Sequence, residues 1–113
     1  MRVAVDLMGS DQAPQVLFSA VLEAAKQLAS EDVLIAIATP KVIENFSPTV
    51  ALSPNTSAEI RFATAEDVIN MDDPPLLAIR DKKKSSIAQG IKLLNDREVD
   101  AFVTAGNTGA LLA

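Results

Sequence analysis

The sequence predicts an α/β fold in three layers, helices over and under a largely parallel sheet. Three observations predict it. Apolar, β-branched runs alternate with segments whose apolar residues recur every three or four positions, so strand and helix follow each other in turn. Hydrophobic residues make up 49% of the chain but aromatics only 4%, so Ala, Val, Ile and Leu must fill the core, as in a sheet covered by helices. The junctions MGSDQAP and AGNTG carry the glycine and small polar residues of strand–loop–helix corners.

RVAVDL (2–7) is the first strand and runs into the turn-rich MGSDQAP. Pro14 then opens a helix over 14–30, at a position where its missing N–H costs nothing. Val16, Val21, Leu22, Ala25 and Leu28 give that helix an apolar face, with Leu17 and Phe18 bridging the longest step. Glu31 and Asp32 mark its exit, and VLIAIA (33–38) is the second strand. Thr39 as N-cap and Pro40 at the first helical position predict a short helix over 39–46, and 47–57 reads as loop or weak strand. EIRFATA (59–65) is the third strand. Pro74 and Pro75 break what precedes them and allow a short helical turn, PLLAIR (75–80). Ser85 caps a helix, IAQGIKLLND (87–96), whose stripe is Ile87, Ile91 and Leu94. VDAFVT (99–104) is the fourth strand, and NTGALLA (107–113) begins a further helix. No internal repeat, linker or low-complexity tract interrupts this order.

Composition removes whole classes of chemistry. The formal net charge of −5 argues against nucleic-acid binding, which needs clustered cations. With no cysteine there are no disulfides, thiolate nucleophiles or sulfur ligands. With no histidine, imidazole acid–base chemistry and its metal sites are gone as well. No metal and no cofactor is expected. The start MRVAVDLMGSD lacks the pattern of a signal peptide, and no apolar run reaches the ~18–20 residues of a membrane span. A soluble, cytoplasmic protein is the expectation.

Four stretches carry candidate chemistry. The corner TAGNTG (104–109) lies where a parallel sheet presents its carboxyl edge, the place where such folds bind ligands. Gly106 and Gly109 allow a tight turn, helix-start N–H groups favour an anion, and Asn107 and Thr108 add an amide and a hydroxyl. An ordinary capped corner is the competing reading, and no nucleotide-binding glycine fingerprint is present. DLMGSD places Asp6 at the end of the first strand and Asp11 before the first helix, with Gly9 and Ser10 shaping the loop between them. Asp11 reads as a stabiliser of the helix start. Asp6 reads as functional, since a charge ending an apolar strand is costly unless partnered. RDKKKSS (80–86) holds four cations and reads first as a solvated basic face. Directly ahead of a helix start, though, Arg80 and Lys83 could also clamp a phosphate or carboxylate, with Ser85 and Ser86 shaping the approach. MDDPP (71–75) reads as a turn, since its spacing matches no calcium loop.

VDLMGSDQAP, MDDPPLLAIRDKKKSS and VDAFVTAGNTGALLA resemble, in the same order, three N-terminal signatures of the bacterial phosphate acyltransferase family. Leu7 and Ser10 stand where the family commonly has Ala and Gly, Pro74 where a polar residue is common, and Asp81 inside a usually more basic run. The resemblance implies a fold like that of the isocitrate and isopropylmalate dehydrogenases. It implies transfer of a fatty acyl group from acyl carrier protein to inorganic phosphate, giving acyl phosphate for phospholipid synthesis. Phosphate is then the nucleophile, so no Cys or His is needed. Gly106, Asn107, Thr108 and Gly109 would hold phosphate, with Arg80 and Lys83 adding charge. Asp6, Arg80 and Asn107 are the candidates for catalysis. A phosphate acetyl- or butyryltransferase using coenzyme A thioesters is the alternative, and an inactive anion-binding module a second. The resemblance further implies a homodimer, peripheral at the inner face of the membrane. Because GALLA would begin an apolar helix with neither polar face nor C-cap, residues 1–113 are expected to be the N-terminal part of a single catalytic domain of a longer protein, inactive alone.

Overall fold

A computed structural model of the chain describes residues 1–51, 57–66, 68, 74 and 85–106. Four parallel strands, β1 (Arg2–Asp6), β2 (Val33–Ala38), β3 (Glu59–Thr64) and β4 (Ala101–Val103), form one sheet in the order β3-β2-β1-β4. Among the described residues three helices connect them, α1 (Pro14–Gln27), α2 (Pro40–Ala51) and α3 (Ser86–Asn95). The predicted class, the four strands and their parallel direction all stand. The helical turn expected over 75–80 and the helix expected from 107 lie outside the described residues.

Side chains alternate between the two faces of the sheet and build two cores. On one face Leu7, Leu34, Ala36 and Ala38 meet Phe18, Val21 and Ala25 of α1, with Phe46 and Val50 of α2 packed against them. Phe18 stacks on Phe46 at a centroid distance of 4.4 Å and on Phe62 at 6.0 Å, so most of the chain's few aromatics meet at one point. On the other face Ala4, Ile37, Ala65 and Val99 are joined by Leu93 of α3 and Phe102. Helix layers therefore cover both faces, with α3 resting on β1, β2 and β4.

Three local expectations change. In α1, Val16 is 54% exposed, and Phe18 takes its place as the buried anchor beside Val21 and Ala25. Helix α2 does not stop at 46 but runs through Pro48 to Ala51. The proline forfeits one backbone hydrogen bond, yet continuing the helix brings Val50 onto the core face already held by Val42, Ile43 and Phe46. Packing overrides the breaker. In α3 the buried face is Ser86, Ile87 and Gly90, with Leu93 beside it, while Leu94 turns outward. Gly90 sets that rotation, because a Cβ there would overlap the Phe102 ring. The helix ends in a Schellman motif: Arg97 donates its N–H to Leu94 and Glu98 donates to Leu93, with Arg97 at φ 59°.

Candidate functional site

The strand order has a switch point. From β1 the chain steps outward to β2 and β3, then returns to place β4 on the opposite side of β1. The carboxyl ends of β1 and β4 therefore mark a switch point, the position where open α/β sheets bind ligands. Register fixes what lines it. Val5 pairs with Val103, so the next residues, Asp6 and Thr104, stand side by side on the face that carries α3.

Asp6 is 2% exposed and its carboxylate is held by two donors. Met8 donates its backbone N–H to Oδ1 at 2.8 Å, closing the turn after β1. Thr104 donates its hydroxyl to Oδ2 at 2.9 Å. That same hydroxyl accepts the N–H of Gly106 at 3.0 Å, so β1 is tied to the start of the glycine corner through one side chain. The Ser86 hydroxyl, 1% exposed in the first turn of α3, faces the same carboxylate but falls short of a regular hydrogen bond to any described group. Burial pushes the Asp6 carboxyl above its ordinary pKa, while the Met8 N–H and the nearby Ser86 and Thr104 hydroxyls pull it back in part. Among the described residues the partners gathered on Asp6 are neutral donors.

The other candidates fall into place around this cluster. Gly9 adopts a φ of 78°, a conformation that a side chain resists, and it turns the loop after β1. Ser10 does not share that conformation, so a serine is accommodated where the family commonly has glycine, and its hydroxyl accepts the Gln12 N–H at 3.0 Å. Asp11 is not the N-cap of α1. The N-cap is Ala13, without a side-chain bond, the first turn carries no acid, and Pro14 sets the entry instead. Ser85 is the N-cap of α3 as expected, accepting the Ala88 N–H at 3.2 Å. Gly106 is buried, and a Cβ there would meet Thr104 Oγ1 at 3.2 Å, Ile87 Cδ1 at 3.4 Å and Asp6 Oδ2 at 3.5 Å. Its value is close approach, and its own N–H is already taken by Thr104. Arg80, Lys83, Asn107, Thr108 and Gly109 lie outside the described residues, as do Asp72, Asp73 and Asp81.

Sequence reasoning missed Thr104, which joins the two loops. The signal was there: a threonine ending a strand, on the same alternation as Asp6, becomes its neighbour once β4 pairs with β1. A cleft of about 320 Å³ lies elsewhere, on the α3 face beside Arg2, Ile35, Arg61 and Glu98. Its basic groups are engaged, Arg61 with Glu59 at 3.0 Å and Arg2 with the Arg97 carbonyl at 2.9 Å. It shares no residue with the switch-point cluster.

Comparison with known proteins gives the cluster its setting. The family described as "Fatty acid synthesis protein" matches residues 1–113. A phosphate acyltransferase of Thermotoga neapolitana is 42% identical over 111 residues, covering 98% of this chain and 29% of that protein. Proteins of the same name from Chlorobaculum parvum and Thermoanaerobacter pseudethanolicus are 35% and 37% identical over 113 residues, each covering 100% of this chain and 32% of the relative. The chain spans about a third of the length of the curated relatives it matches. Matched from its first residue to its last, the chain belongs to the fatty acid synthesis protein family and is similar throughout to phosphate acyltransferases.

Proposed function

We propose that this chain is the N-terminal part of an enzyme that moves a fatty acyl group from the thioester of acyl carrier protein to inorganic phosphate. An oxygen of phosphate attacks the thioester carbonyl carbon, the C–O bond forms, the C–S bond breaks, and the carrier leaves as thiolate that takes up a proton. The products are acyl phosphate and free carrier protein. Such a reaction asks the protein for orientation and for stabilisation of negative charge, not for a covalent nucleophile. The supporting observation is the matched phosphate acyltransferases, taken with a buried polar cluster at the switch point. Phosphate would be held by residues 107–109 and the helix start they open, with Arg80 and Lys83 adding positive charge. Asp6 shapes the floor of the site.

The proposal extends to an enzyme of the cytoplasm, homodimeric and peripheral at the inner membrane face. Among the described residues no helix is long and apolar enough to cross a membrane. The test is an assay of the full-length enzyme with phosphate and either acyl carrier protein or coenzyme A thioesters. Acyl phosphate formed faster from the carrier-protein donor is the expected result. Turnover confined to the coenzyme A donor contradicts it. A Thr108→Val variant should bind phosphate more weakly, and full affinity would remove that hydroxyl from the site.

A further inference from the structure

We infer that the groove between α1 and β4 is a docking surface for a helix from the remainder of the full-length chain, beyond residue 113. This rests on the proposed reading of residues 1–113 as the N-terminal part of a longer enzyme. Val5 of β1 pairs with Val103 of β4, and both lie on the face of the sheet that carries α1. Among the described residues α1 leans over β2 while α3 covers the opposite face, so Val103 is left 54% exposed. With Leu17, Ala20 and Ala24 along the flank of α1, the two valines bound a groove of about 250 Å³ whose lining side chains are all aliphatic. Parallel sheets are covered on both faces, and here the layer begun by α1 and α2 stops short of β4. A helix laid in the groove would continue that layer about 8–10 Å from α1, with the short side chains of Ala20 and Ala24 favouring the closer approach.

The occupant follows from length, chemistry and handedness. This chain spans about a third of the relatives it matches, so most of an enzyme of that length remains to be placed. A lining without charge or hydrogen-bonding side chains suits a permanent apolar cover better than a partner that comes and goes. The steps from β1 to β2 to β3 put α1 and α2 on this face, and the return to β4 puts α3 on the other. A crossover from β4 to a parallel strand on its outer edge would again lie on the α3 face, so the cover comes from later in the chain than that connection.

The full-length protein tests this through introduced thiols. Residues 1–113 contain no cysteine, so Ala24→Cys marks the groove wall and Ser19→Cys, on the exposed side of α1, serves as control. Alkylation by iodoacetamide, read by mass spectrometry at the introduced position, should be at least about tenfold slower in Ala24→Cys, since a packed segment must open before it reacts. A photoactivated cross-linker attached at Ala24→Cys should join residues beyond 113 and keep the product at single-chain mass on a denaturing gel. Val103→Cys repeats both measurements from the groove floor if Ala24→Cys fails to fold. Equal alkylation rates at positions 24 and 19 overturn the inference, because the groove would be open. A product of two-chain mass overturns it in favour of a second copy, and cross-links confined to residues 1–113 overturn it as well. Protection that appears only when the acyl donor is added overturns it in favour of an acyl chain. An enzyme that shows the intrachain cross-link but forms no acyl phosphate contradicts the acyltransferase reading and leaves the docking surface standing.

Discussion

Asp6 shows how one buried side chain couples stability to pH. Its carboxyl sits above its ordinary pKa because burial penalises the charge more than Met8, Ser86 and Thr104 repay it. The folded protein therefore holds the proton more tightly than the unfolded chain does. Asp6 favours folding most at acid pH, and that contribution fades as pH rises from the ordinary carboxylate range through the raised folded value. Asp6→Asn cannot ionise. Its stability relative to wild type should accordingly rise across that window and then level off, as read from denaturant unfolding at a series of pH values. A constant difference at every pH would mean that Asp6 titrates normally. The role of Asp6 was partly legible in the sequence, since a lone charge ending an apolar strand demands partners. Which partners was not legible, because Thr104 is 98 residues away and becomes adjacent only when β4 pairs with β1.

At the scale of elements, the strands were legible as short runs rich in apolar residues, most clearly β2, which is all apolar, largely buried and matches its expected bounds of 33–38. Helix faces were less so, because contacts from other elements choose among neighbouring apolar residues. Phe18 displaces Val16 by stacking on Phe46 and Phe62, and Gly90 turns α3 so that Leu93 packs inward and Leu94 does not. Gly90 thus holds α3 close on β4 and delivers Ser86 to Asp6. Gly90→Ala would gain about 1 kcal/mol in helix propensity. Against that, overlap with the Phe102 ring costs about 1–3 kcal/mol and displaces the helix. The clash should win, lowering the melting temperature, and pairing it with Phe102→Leu should recover part of the loss. Phe18→Ala should cost about 3–5 kcal/mol in the same measurement, since it empties the centre of the aromatic cluster.

For the whole molecule, topology makes the site. The order β3-β2-β1-β4 sets the carboxyl ends of β1 and β4 side by side, and the capped start of α3 brings Ile87 against Gly106 beside them. The expectation of a carboxyl-edge site followed from recognising parallel strands joined by helices. Its location did not, because strand order is a property of pairing and no local pattern encodes which strand lies beside β1. The switch point also explains why residues distant in sequence belong together: Asp6, Ile87, Thr104 and Gly106 meet there. The most direct test is a titration of the isotopically labelled full-length enzyme with inorganic phosphate, followed through its backbone amide resonances. Saturable shifts should concentrate at residues 104–109 and at Met8, Ser86 and Ile87, with chloride at equal ionic strength producing none. Shifts confined to the cleft beside Arg2 and Arg61, or absent from the switch point altogether, would contradict the account.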